Sequence, residues 1–109
     1  MQGSMGLAPA IGLGLALNCS KDVVVISGDA ALLMHLGITH TIADYYPDNL
    51  YVYVLANGCH ESVGGQPCSP LQSFYKGVYS IINVAKGVKH PRVGVGCIDN
   101  KIGFIKHVK

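Results

Sequence analysis

The sequence predicts an α/β domain built on an open parallel sheet with flanking helices, and three features carry that expectation. Val23 to Ile26 is an unbroken β-branched run, Leu50 to Leu55 is a second apolar run, and the stretch between them carries apolar residues at helical spacing. Two strands joined by such a helix form a crossover unit, because the helix returns the chain beside the first strand in the same direction. The 109 residues suffice for one domain. With 50% hydrophobic and only 13% charged residues, the chain holds more apolar material than a core of this size needs. That balance excludes disorder and leads us to expect an oligomer or a complex that covers the remainder.

Each element follows from its local pattern. Leu7 to Asn18 is small and apolar all round, which suits a buried helix whose glycines permit close backbone approach. The apolar opening, Met5 to Leu17, has no basic leader and falls short of the roughly 20 residues that cross a bilayer, so neither a secretion signal nor a membrane segment is expected. After the polar turn Ser20-Lys21-Asp22, the continuous run Val23 to Ile26 reads as a strand buried on both faces, ended by Ser27-Gly28-Asp29. Leu32, Leu33, Leu36, Ile38 and Ile42 mark one helix from Ala30 to Tyr45, and Pro47-Asp48-Asn49 turns the chain into the strand Leu50 to Leu55. With both strands parallel, Asp29 and Asn57 lie just past their C-terminal ends and face one crevice, where open α/β sheets bind ligands. A glycine-rich loop, Asn57 to Pro70, comes next, then a third helix over Leu71 to Val88. The tail alternates through Val93, Val95 and Cys97, turns at Asp99-Asn100 and resumes from Ile102 to Val108, the pattern of two edge strands or a hairpin.

Charge and cysteine usage exclude several function classes. A net charge of +2 with no basic run interleaved with aromatics gives no reason to expect nucleic acid. Lys76, Lys86, Lys89, Arg92, Lys101, Lys106 and Lys109 gather in the last third, which reads as a solvated face, with an anion-binding patch as the alternative. Cys19, Cys59, Cys68 and Cys97 show no CxxC spacing, so a structural zinc site or disulfide framework is not expected, and reduced thiols point to the cytoplasm. Gly12 and Gly14 begin a G-x-G, but Leu17 stands where a dinucleotide fingerprint needs its last glycine, and no strand precedes them.

A second motif is positive. Gly28-Asp29-Ala30 follows one buried strand, and Ala56-Asn57 ends the next, with Ala31 to Leu55 between. Taken alone, Asp29 could be an ordinary helix cap. The pair at this spacing resembles the glycine-aspartate-glycine to asparagine-asparagine signature of thiamine diphosphate enzymes. The opening Gly3-Ser4-Met5-Gly6, the stretch Ala31-Leu32-Leu33-Met34-His35-Leu36-Gly37 and the loop Asn57-Gly58-Cys59-His60-Glu61-Ser62-Val63-Gly64-Gly65-Gln66-Pro67 are similar to the corresponding segments of phosphonopyruvate decarboxylases, with sulfopyruvate decarboxylases as close relatives. The resemblance covers residues 1–70.

It implies a thiamine diphosphate-binding fold and a 2-oxo acid decarboxylase that releases carbon dioxide and an aldehyde. Gly28, Asp29, Ala30 and Ala31 would meet the diphosphate at a helix N-terminus, and Mg²⁺ would take the Asp29 carboxylate, the Asn57 amide oxygen and the Cys59 backbone carbonyl. Because one carboxylate is weak by itself, metal and cofactor are expected to bind together. In the Gly3 to Gly6 loop, Ser4 would belong to the cofactor site, Met5 would be the wedge that bends the cofactor, and Gly3 would offer its carbonyl to the aminopyrimidine. His60 and Glu61 are the catalytic candidates: His60 to orient the substrate's anion or move a proton, Glu61 only if a neighbouring group engages its charge or it is protonated. Ser62, Gly64, Gly65 and Gln66 shape the loop, and His35, His40, His90 and His107 are structural.

Ala30 replaces the signature's second glycine, which is harmless in a helix and costs about 1–2 kcal/mol in a left-handed backbone; Ala56 replaces the usual polar residue before Asn57. The family domain carries more sheet on both sides, so the chain reads as truncated at both ends and lacks a pyrimidine-binding domain, which a partner subunit would supply. The alternatives are another thiamine diphosphate-dependent 2-oxo acid enzyme and a non-catalytic remnant or regulatory subunit.

Overall fold

Helix α1, Ala8–Ala16, starts with Pro9 in its first turn, where a missing N–H costs nothing. It lays Gly12, Leu13 and Ala16 against the strand β1, Val23–Gly28. Gly12 is required there, since a Cβ would run into the Val25 side chain. The chain continues through α2, Asp29–Met34, α3, Ile38–Tyr45, and β2, Leu50–Ala56. β1 and β2 pair in parallel with Val23 opposite Leu50 and Gly28 opposite Leu55, as a crossover connection requires. The computed structural model describes residues 3–72, 77–86 and 94–108.

The crossover is two helices rather than one. His35 leaves the helical region (φ −136°, ψ 42°) and Gly37 precedes α3, while Thr39 Oγ1 donates to the Leu36 carbonyl at 2.8 Å. Leu32 and Ile42 both reach the core, so the apolar spacing survives a break that it cannot reveal.

Beyond the site loop, the expected third helix is corrected. Residues 73–76 and 87–88 lie outside the described residues, but Ser80–Asn83 forms the strand β5, parallel to β2 with Tyr53 opposite Ser80 and Ala56 opposite Asn83. The sheet order is β1-β2-β5. Ile81 and Ile82 are the β-branched pair that the weak helical pattern concealed. The tail is corrected as well: Cys97–Val108 is a helix, α4, with Asp99 in its first turn and Lys106 and His107 in its last, which suits the helix dipole. Val93 lies outside the described residues. Asp99-Asn100, read as a turn, falls inside α4 because Ile98, Ile102 and Ile105 also fit helical spacing.

Leu13, Ala16, Val23, Val25, Leu32, Ile42, Val52, Val54, Val78 and Tyr79 form the core on one face of the sheet. Among the described residues no element packs over the opposite face, which corrects the expectation of a strand buried on both faces: Val24 is 59% and Ile26 66% exposed, and the partly exposed Tyr51, Tyr53, Leu55 and Ile82 share that side. The expected all-buried first helix is likewise one-sided, with Ile11 and Leu17 exposed. Asn49 ties the N-terminal end of the sheet together, its Nδ2 donating to the carbonyls of Ala16, Cys19 and Lys21 at 2.9–3.2 Å.

Candidate functional site

The ends of β1 and β2 deliver Asp29 and Asn57 to the same place. β1 ends at Gly28 in extended geometry (φ −83°, ψ 157°), and Asp29 starts α2 with its side chain turned under the next loop. Asp29 as a residue is 4% exposed. Oδ1 accepts from the Ala30 N–H at 2.8 Å, and Oδ2 accepts from the Gly58 N–H at 2.8 Å and from the Cys68 thiol at 3.4 Å. Burial alone would raise this carboxyl; the bonds from Gly58, Ala30 and Cys68 outweigh it and hold Asp29 below the ordinary carboxylate value, so it is ionised near neutral pH. Burial first, and then the bond to Asp29 and its charge, push the Cys68 thiol up, which keeps its proton in place to donate. Ala30 sits in right-handed helix, so its replacement of glycine carries no backbone penalty.

After β2, Asn57 opens a loop that folds back as a small antiparallel hairpin of β3, Cys59–His60, and β4, Gln66–Pro67, joined by a 3-10 turn at Glu61–Val63. Gly58, Gly64 and Gly65 supply the positive φ angles of this reversal. The Asn57 Nδ2 donates to Glu61 Oε2 at 2.8 Å, and its Oδ1 accepts the Cys59 N–H at 3.1 Å. The Gly65 N–H closes the turn on the His60 carbonyl at 2.9 Å, and the Cys68 N–H reaches the Gly58 carbonyl at 3.1 Å.

The N-terminal loop arrives from the other side. Gly6 (φ 90°) packs so closely on α2 that a Cβ would clash with the Ala31 carbonyl and crowd His35 Nδ1, and the Leu7 N–H caps the turn on the Ser4 carbonyl at 3.1 Å. Gly3 (φ 67°) is exposed at the start of this turn. Met5, 43% exposed, is left facing a cavity of about 350 Å³. That cavity is lined by Met5, Gly28, Asp29, Ala30, Ala31, Asn57, Cys59, His60 and Glu61, together with Leu55, Ser62 and Val84. Most of the expected site residues therefore meet on one wall or another of a single space; Gly3 and Ser4 are not among its lining.

A second cavity of about 560 Å³ adjoins it across Asp29 and Asn57, and Asn83 and Val84 at the end of β5 border it. These two residues, with Leu55 and the Cys68 thiol, are what sequence reasoning missed. No spacing in the sequence marks Cys68 for the site, and only the hairpin that brings it back to Asp29 reveals its contact; Asn83 was hidden by the reading of its strand as helix.

Among the described residues no three His, Cys, Asp or Glu side chains cluster to hold a metal. An ionised buried carboxylate and an adjacent amide oxygen are hard donors suited to Mg²⁺, yet two side-chain oxygens fall well short of six ligands. Such a pair would hold Mg²⁺ only with further oxygens from outside these two side chains. No helix among the described residues is long and apolar enough to cross a membrane.

Known proteins resemble the chain over part of its length. Over 66 residues the chain is 50% identical to sulfopyruvate decarboxylase subunit beta of Methanocaldococcus jannaschii, covering 61% of this chain and 35% of that protein. It is 48% identical over 66 residues to phosphonopyruvate decarboxylase of Streptomyces hygroscopicus, covering 16% of that protein. The same identity and length hold for sulfopyruvate decarboxylase subunit beta of Methanothermobacter thermautotrophicus, at 36% of its length. The matched stretch thus spans about a third of the beta subunits and about a sixth of the Streptomyces enzyme. Residues 1–98 match the family described as thiamine pyrophosphate enzyme, C-terminal TPP binding domain, and the chain belongs to that family.

Proposed function

We propose that the chain binds thiamine diphosphate together with Mg²⁺ and serves as the cofactor-binding part of a decarboxylase acting on phosphonopyruvate or sulfopyruvate. The observation that carries this reading is the meeting of Asp29 and Asn57 with Met5 around one cavity at the C-terminal ends of two adjacent parallel strands. The Asp29 carboxylate, the Asn57 Oδ1 and the Cys59 carbonyl would hold the metal, and the Gly28 to Ala31 turn would face the diphosphate. When bound, the cofactor supplies the electron sink for loss of carbon dioxide. Met5 would support its bend, and the half-buried His60 would orient the substrate's anionic group or move a proton at its imidazole. A pyrimidine-binding domain in a partner subunit completes the reading, and the bare apolar sheet face supports an assembly. The four cysteines, none of them in a disulfide, support a cytoplasmic setting.

Calorimetric titration of thiamine diphosphate into the protein, with and without Mg²⁺, tests the proposal. Binding that requires both components and is lost in Asp29→Ala is the expected result. Tight Mg²⁺ binding without the diphosphate, or no cofactor binding by the folded protein, would overturn it. Co-purification identifies the partner, and substrate profiling of the assembled enzyme distinguishes the phosphonate, the sulfonate and other 2-oxo acids.

A further inference from the structure

We infer that Glu61 is a positioning residue that sets which end of the Asn57 amide faces the metal, and that it does not act on the substrate. The inference rests on the cofactor reading above. A primary amide has nearly the same shape when turned over, but only its oxygen can meet a cation. Two partners of opposite polarity grip Asn57. The Glu61 carboxylate accepts from Nδ2 at 2.8 Å, and the Cys59 N–H donates to Oδ1 at 3.1 Å. Turning the amide over would set Nδ2 against the Cys59 N–H and Oδ1 against the carboxylate, so both contacts would become repulsive. The Asn57 Oδ1 retains a second lone pair beyond the one given to Cys59, and this is the pair available to a cation.

The loop is built to hold Glu61 where this bond requires it. Glu61 starts the 3-10 turn four residues after Asn57, and the Gly65 N–H ties the far side of that turn to the His60 carbonyl. Groups that orient metal ligands commonly change metal affinity by 10- to 100-fold when removed.

Two variants separate the roles. Glu61→Ala removes the acceptor, whereas Glu61→Gln keeps one in its Oε1. The Mg²⁺ concentration that half-saturates cofactor binding should rise at least about 10-fold in Glu61→Ala and stay within about 3-fold of the parent in Glu61→Gln. In the cofactor-free protein, the Asn57 side-chain amide protons seen by NMR should exchange slowly in the parent and in Glu61→Gln, and fast in Glu61→Ala. Unchanged Mg²⁺ dependence in Glu61→Ala overturns the inference, and so does equal loss in both variants. A slow Asn57 amide in a parent protein that binds no cofactor would sink the cofactor reading and, with it, the metal-orienting role. A parent amide that exchanges as fast as that of Glu61→Ala refutes the positioning itself, whatever the cofactor does.

Discussion

Replacing Asp29 with Asn changes the site's buried acceptor while keeping its shape. In the parent, the carboxylate takes three donors: Ala30 N–H, Gly58 N–H and the Cys68 thiol. An Asn has one oxygen, so it can serve the Ala30 side or the Gly58 side, and its NH₂ then faces a donor on the other. The retained bond falls from the roughly 1.5–3 kcal/mol of a charged acceptor to about 1, and the stranded N–H costs about 1–3 more. The expected loss is about 2–4 kcal/mol, read by urea unfolding followed by circular dichroism near pH 7. The pH dependence has a definite sign. Because the folded-state carboxyl is held below its unfolded value, its contribution is complete above the unfolded pKa and is lost as pH falls through the folded one. Asn does not titrate, so parent and variant should differ most near neutrality and converge in acid. A variant within about 0.5 kcal/mol of the parent at pH 7, or a gap that does not narrow in acid, would refute this account of Asp29.

The two faces of the sheet should answer differently to mutation. Val54→Ala, at a fully buried position, should cost about 2–3 kcal/mol in the same unfolding assay, while Ile26→Thr on the bare face should stay within about 0.5 kcal/mol and reduce binding of an apolar dye. Asn49→Ala should lose about 1–3 kcal/mol through its three carbonyl contacts, and Asn49→Asp more, since a carboxylate would face three acceptors; a more stable Asp variant would contradict the assigned amide orientation. Gly6→Ala combines a left-handed backbone with contact against the Ala31 carbonyl and should cost about 2–4 kcal/mol, and a silent substitution in thermal melting would show that the loop is not held against α2.

The parts of this fold that local pattern controls were legible in the sequence. An unbroken β-branched run and a second apolar run, flanking an apolar helical spacing, announced β1 and β2 and their parallel pairing, and that pairing alone predicted that Asp29 and Asn57 would share a crevice. Burial of the second face was not legible, because an apolar run states what a strand tolerates and not what covers it. The break at His35 was hidden because both halves of the crossover keep their apolar residues toward one core. Helix and strand were exchanged at Ser80–Asn83 and again at Cys97–Val108, where short apolar runs satisfy both periods. Within the site, the residue types and their spacing were visible, but the bonds of Cys68 to Asp29 and of Glu61 to Asn57 depend on a hairpin whose return path only the glycine positions hinted at.

Helix α4 buries none of its residues, and Ile98, Ile102, Phe104 and Ile105 stay exposed along it. Its described polar tie to the sheet layer is Lys21, whose Nζ donates to the His107 carbonyl at 2.7 Å and the Val108 carbonyl at 3.5 Å. Twelve residues held by so little cannot share the cooperativity of the core. In hydrogen exchange the protein should show two tiers: α4 amides trading with solvent through a shallow local opening, and β1 and β2 amides exchanging only when the sheet itself comes apart. Denaturant should therefore erase part of the helical signal before it touches the cavity formed by Met5, Asp29 and Asn57, so a single melting temperature would describe neither event.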